Sequence, residues 1–125
     1  MAESTASPYL TDIVDAIERV RGLLGDISLE SFKADWEKQW AIERGVEIIS
    51  EASRRLPDEV KARHPEIPWP KVAGIGNVLR HDYENVSAPV MWKLVREDLP
   101  ELEQACRDEL ARVQTHARGR GSREC

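Results

Sequence analysis

The sequence predicts an all-α protein, an antiparallel up-down helical bundle, on three observations. Apolar residues recur at a spacing near 3.6, and no segment alternates with the period of two that a half-buried strand needs. Proline, glycine and small hydroxyl residues fall where helices start and stop. At 125 residues the chain fits one domain, long enough to bury about two-thirds of the surface its unfolded form exposes. That domain is expected over residues 1–115. Residues 116–125 are expected to be a disordered tail, because Arg-Gly-Arg-Gly-Ser-Arg-Glu is too polar and glycine-rich to pack. No internal repeat or second domain is visible.

Each element has its own signal. Ser7-Pro8 predicts the first helix start, a capping hydroxyl followed by proline at the first helical position. Leu10, Ile13, Val14, Ile17, Val20 and Leu24 form the stripe of that helix, and Gly25 ends it. Ser28 predicts the cap of a second, longer helix in which Phe32, Trp36 and Trp40 are spaced by four. Val46, Ile49, Ala52 and Leu56 carry its stripe on. Gly45 interrupts the pattern at a cost of about 1 kcal/mol relative to Ala, so a bend or a close helix approach is expected there. Pro57 stops this helix or starts a short turn over 58–63. Pro65, Pro68 and Pro70 exclude a helix over 64–70 and predict a stiff connection, in which His64 reads as inert.

Pro70 opens the next helix, with Trp69 just outside it. At 100° per residue Val72, Ile75, Val78 and Leu79 fall on one side, and Gly74, Asn77 and His81 on the other. His81 is therefore expected to face solvent or a second molecule, with Arg80 and Tyr83 flanking it at the helix end. Ser87 predicts the cap of a further helix carrying Val90, Met91, Leu94 and Val95. Asp98-Leu99-Pro100-Glu101 reads as a capping box with a kink or fresh start at Pro100, and Leu102, Cys106 and Leu110 continue the apolar face. Trp36, Trp40, Trp69 and Trp92 read as core or interface anchors.

Composition narrows the function. The net charge of −5 argues against a general nucleic-acid coat, which needs a broad basic surface, but leaves room for a local phosphate site. Cys106 lies in a helical pattern and Cys125 in a polar stretch, so reduced thiols are expected. No apolar run approaches the roughly 20 residues of a bilayer span. Glu3 stands where a secretory signal would be basic, so a cytoplasmic location without membrane contact is expected. Absent also are His-x-x-x-His, Glu-x-x-His and clustered-Cys metal patterns, a Walker loop and a Gly-x-Ser-x-Gly elbow. Neither metal nor cofactor is expected.

The chemistry concentrates in Gly74–Tyr83. One reading of Arg80 and His81 is structural, cations complementing the negative end of a helix dipole. The other is catalytic. A histidine beside a guanidinium is a minimal kit for metal-free RNA cleavage, the imidazole moving protons near neutral pH and the guanidinium stabilising phosphate charge. Asn77 could orient phosphate or His81, and Tyr83 adds a hydroxyl. Arg44, Glu51 and Asp35, on the second long helix, could support such a site from behind or form surface ion pairs.

In this order and spacing the residues resemble the HepT-like branch of the HEPN superfamily, small helical RNase toxins. The likeness spans residues 9–110. It runs through Leu10, Asp12, Ile13 and Ile17, then Arg44 with Ile48-Ile49-Ser50-Glu51-Ala52, then Leu56-Pro57. His64-Pro65-Glu66-Ile67-Pro68-Trp69, Gly74–Tyr83, Trp92 and Asp98-Leu99-Pro100-Glu101-Leu102 complete it. The resemblance implies a homodimer whose His-x-Tyr segments face a shared cleft as a composite ribonuclease site. It also implies a nucleotidyltransferase antitoxin of the MntA type as partner, which transfers AMP to the tyrosine. Carried over, His81 matches the catalytic histidine and Tyr83 the AMP acceptor, in a type VII-like toxin–antitoxin pair. The family's motif arginine falls at Gly76 in this chain, with Arg80 as its substitute. A second reading therefore stays open, a non-catalytic protein that binds or regulates a nucleotidyltransferase.

Overall fold

A computed structural model describes residues 6–75 and 88–113 in full; residues 2–5, 76–81, 83–87 and 114–124 are described by helix assignment alone. The elements are α1 (Ala2–Leu24), α2 (Leu29–Lys33), α3 (Trp36–Arg55), α4 (Asp58–Ala62), α5 (Trp69–His81), α6 (Tyr83–Lys93), a π-helical turn (Leu94–Asp98) and α7 (Leu99–Glu124). No strand occurs among the described residues, so the all-α expectation holds.

α1 is the axis of the bundle. Its buried stripe is Ala6, Leu10, Ile13, Val14, Ile17, Val20 and Leu24, packed against α3 and α7. The stripe thus begins two residues before Pro8, and the helix bounds enclose that proline instead of starting at it. Ala6 is fully buried one turn ahead of Leu10, so the apolar face extends to the N-terminal side of Pro8. Gly25 closes α1 with φ +53°, a left-handed conformation that glycine adopts without penalty, and its amide donates to the Arg21 carbonyl at 2.9 Å.

The predicted long helix after Ser28 is two helices. Ser28 caps α2 as expected, its Oγ accepting from the Ser31 amide at 3.1 Å. Asp35 then breaks the run by capping α3, its Oδ1 accepting from the Lys38 amide at 3.0 Å. Aspartate competes well with the backbone for such amides, and the Gln39 side chain donates to the carbonyls of Phe32 and Lys33 at 2.8 and 3.0 Å. α3 runs unbroken through Gly45. A Cβ there would lie 2.3 Å from Val20 Cγ1, so the glycine marks the close approach of α1 and α3.

α7 lies antiparallel to α1. Arg21 and Arg107 both bond the Glu103 carboxylate, and Arg107 reaches back to Glu18. Between α6 and α7 the helix opens into the π-helical turn, where the Leu99 amide bonds the Leu94 carbonyl. Pro100 explains it: lacking an N–H and clashing with the carbonyl four residues back, it cannot continue the α-helical ladder, and the break expected there takes the form of this π-helical turn. α6 is bounded from Tyr83 and not from Ser87, and it encloses Pro89. The predicted tail over 116–125 lies outside the fully described residues.

Candidate functional site

Of the candidate residues, Asn77, Arg80 and His81 fall in α5 and Tyr83 opens α6. The first turn of α5 is held from three directions. The Trp69 indole N–H is shared between the carbonyls of Lys61 and His64, each at 3.0 Å. Val72 is buried and Ile75 packs on the core. On the α3 side, Ser50 Oγ donates to the Ala73 carbonyl at 2.7 Å and Arg54 Nη1 donates to the same oxygen at 3.3 Å. A hydroxyl and a guanidinium on one carbonyl fix the height of α5 against α3.

Gly74 marks the other side of α5. A Cβ built at Gly74 meets no described atom within 4 Å. Asn77 and His81 are expected to share this side from the helical register. The side chains of Asn77, Arg80, His81 and Tyr83, and position 76, lie outside the described residues, as does Asp82 altogether. Next to Ile75, a cleft of about 280 Å³ opens between α3, α5 and the start of α7, with Val46, Val72 and Leu99 among its walls and Lys71, Asp98 and Glu101 contributing charge.

The three supporting candidates separate. Glu51 lies one step from α5: it bonds Arg54 at 2.8 Å and Arg55 at 3.1 Å, and Arg54 touches Ala73. The hydrogen bonds from Arg54 and then Arg55 hold the Glu51 carboxyl below its ordinary range. Arg44 is exposed and forms an intrahelical pair with Glu47 at 3.5 Å, over a groove between α1 and α3 that also exposes Asp12 and Arg19. Asp35 is the α3 cap, at the far end of that helix from Glu51.

The sequence reading also missed a buried ionic tie behind α5. Glu109 on α7 is almost fully buried and accepts from Arg63 Nη2 at 2.7 Å and from His64 Nε2 at 2.8 Å, while His64 Nδ1 lies 3.5 Å from Glu66. Burial alone would raise the Glu109 carboxyl; the bonds from Arg63 and His64 outweigh it and hold the group below its usual range. His64 is thus a structural ligand of the stiff connection and not an inert loop residue. Nothing in the local pattern pairs His64 with a residue 45 positions on. Ser50 was more accessible to reasoning, as a hydroxyl on the buried face of an apolar helix needs an acceptor.

Comparison with known proteins agrees with this frame. Residues 13–109 match the family described as Ribonuclease HepT-like. A protein of Thermococcus cleftensis named Probable ribonuclease HepT is 44% identical over 94 residues, covering 75% of this chain and 86% of the relative. A protein of Caldanaerobacter subterraneus subsp. tengcongensis, named as a candidate RNase, is 36% identical over 83% of this chain and 93% of its own length. One from Methanocaldococcus jannaschii, also named as a candidate RNase, is 30% identical over 82% and 94%. No solved structure matches the chain significantly. With the match spanning α1 to α7 and including the whole of α5, the chain belongs to the HepT-like ribonuclease family.

Proposed function

We propose that the chain is a metal-independent endoribonuclease, the toxin of a type VII-like toxin–antitoxin pair, acting in the cytoplasm as a homodimer. Family membership, with relatives named as ribonucleases, carries the reading. An α5 anchored at Ala73 and open at Gly74 suits a helix that presents chemistry to a second molecule. In this mechanism the 2′-oxygen of RNA attacks the adjacent phosphorus while the His81 imidazole takes the 2′ proton. The P–O5′ bond breaks, and the leaving oxygen accepts a proton from an imidazolium. Arg80 stabilises the charge on the phosphate oxygens, and Asn77 orients phosphate or His81. Tyr83 contacts RNA and accepts AMP from an MntA-type nucleotidyltransferase; the bulky anionic adduct fills the cleft and repels phosphate.

Purified protein mixed with total RNA in EDTA is expected to cleave it, and His81→Ala to abolish cleavage while the helical circular dichroism is unchanged. Intact RNA at every enzyme concentration would sink the nuclease. Mass spectrometry after co-expression with a neighbouring nucleotidyltransferase is expected to show AMP on Tyr83, and equal modification of Tyr83→Phe would rule that acceptor out.

One residue favours a second reading. Gly76 stands where the family arginine is expected, and losing a positioned charge from such a site costs on the order of 10²–10³ in rate. A chain that binds the nucleotidyltransferase but leaves RNA intact would be a regulatory member of the family. Gly76→Arg distinguishes the two: wild-type cleavage that the added cation raises supports the catalytic reading, and intact RNA with the wild-type chain, whether or not Gly76→Arg cleaves, supports the regulatory one.

A further inference from the structure

Trp36 and Trp40 stand one turn apart at the start of α3, 58% and 64% exposed, with ring centroids 4.9 Å apart and planes at 73°. The core closes without them, since Phe32 and Ile42 on either side are fully buried. Two indoles left on a surface are a large apolar area with one edge-to-face contact, the kind of residue that dominates binding interfaces. The sequence expectation of core or interface anchors therefore resolves against the core for this pair.

The surrounding charge selects the partner. Glu43 and Glu47 lie three and seven residues beyond Trp40, on the same helix face. Arg44 meets Glu47 at 3.5 Å, whereas no cation among the described residues pairs with Glu43. Partial burial, and then the neighbouring Glu47, push the Glu43 carboxyl up, as expected for a carboxylate short of a positive partner. Glu37, in the first turn of α3, adds another negative charge. Such a patch repels phosphates, so the indoles are poorly suited to stack RNA bases. It attracts guanidinium twice, through the ring faces and through the carboxylates. The chain already uses the first half of this chemistry, with the Arg96 guanidinium 4.8 Å from the Trp92 ring centroid.

We infer that the Trp36–Trp40 face of α3 is a docking surface for an arginine-bearing segment of a protein partner, one guanidinium stacking on an indole and pairing with Glu43. This surface is independent of the ribonuclease reading. The probe is a fluorescein-labelled peptide, Arg-Gly-Arg-Gly-Ser-Arg-Gly, titrated against the full chain by anisotropy at low and physiological ionic strength. Saturable binding is expected, weakened at least about five-fold by Trp40→Ala and by Glu43→Gln, and lost in Trp36→Ala/Trp40→Ala. The tryptophan variants change no charge, so they separate this contact from general attraction to a chain of net charge −5. Absence of binding, or binding that the tryptophan variants leave unchanged, overturns the proposal. So does dissociation of an oligomer by those variants without peptide binding, which would assign the face to a second copy. RNA that binds the full chain and loses binding in the same variants would assign it to nucleic acid.

Discussion

Gly45→Ala is expected to destabilise the bundle although it replaces glycine by the best helix former inside a helix. Propensity alone would stabilise by about 1 kcal/mol. Against this, the new Cβ would lie 2.3 Å from Val20 Cγ1, where ordinary contact begins near 3.4 Å. The gap cannot be opened cheaply. Val20 is buried, and valine in a helix holds one χ1 rotamer strongly, so either it leaves that rotamer or the helices separate. Overpacking of this kind costs about 1–3 kcal/mol, leaving a net loss of about 0–2 kcal/mol. Gly22→Ala provides the internal reference: it is also helical, and its Cβ meets nothing within 4 Å. It is expected to stabilise by about 0.5–1 kcal/mol. Urea unfolding of both variants, followed by circular dichroism, reads the difference of about 0.5–3 kcal/mol directly. In Val20→Ala/Gly45→Ala the clash is relieved, so the double variant is expected to lose at least about 0.5 kcal/mol less than the sum of the singles. Gly45→Ala as stable as Gly22→Ala, or strictly additive losses, would refute the close-approach account.

Other outcomes follow from the same structure. Glu103 and Glu109 are held below their ordinary range by their arginine and histidine bonds, so each contributes stability above the unfolded carboxyl value of about 4.3 and loses it as pH falls through the lower folded value. Urea midpoints are expected to drop steadily below about pH 5, and to drop less steeply in Glu109→Gln, whose loss is already present at neutral pH. Removing the Asp35 cap with Asp35→Ala is expected to cost about 1 kcal/mol and no RNA cleavage; a fall in cleavage at full stability would return Asp35 to the site. Burial, and then Glu109, push the Cys106 thiol up to about 12, so in a Cys125→Ser background it is expected to resist a thiol reagent until denaturant is added. Ser50→Ala is expected to leave the fold intact and reduce cleavage by loosening α5, which circular dichroism paired with an RNA assay would check.

Where one helix's apolar period and its punctuation agreed, the sequence was enough: the α1 stripe from Leu10 to Leu24, the Gly25 stop and the Ser28 cap were legible, and the break expected at Pro100 is the π-helical turn. Asp35 was not, because the four-residue spacing of Phe32, Trp36 and Trp40 mimics one continuous face across the break. That spacing also hid the exposure of the two tryptophans, since periodicity says which residues share a face and not whether anything covers it. For the site, the placing of Gly74 away from the apolar residues of α5 could be read from helical geometry, and a Cβ there meets no described atom within 4 Å. The Arg63–His64–Glu109 tie could not, because its partners meet only through tertiary packing. Arg44 and Glu51 show the limit most plainly: both carry charge on one helix, but only Glu51 lies next to an arginine that reaches α5.

The end of α1 depends on residues translated much later. The carbonyls of Gly25 and Ile27 both accept from Arg96, at 2.9 Å each, and Ile27 accepts also from the Trp92 indole at 3.3 Å. These bonds span 65 to 71 residues of sequence. Local helices form in microseconds, whereas closing so long a loop costs chain entropy before it gains any contact. During synthesis the α1–α2 corner therefore waits, its carbonyls bonded to water, until the π-helical turn has left the ribosome. That corner can close only once Arg96 has been made, and nascent chains that end before Arg96 are expected to show it more open to proteolysis than the full chain does.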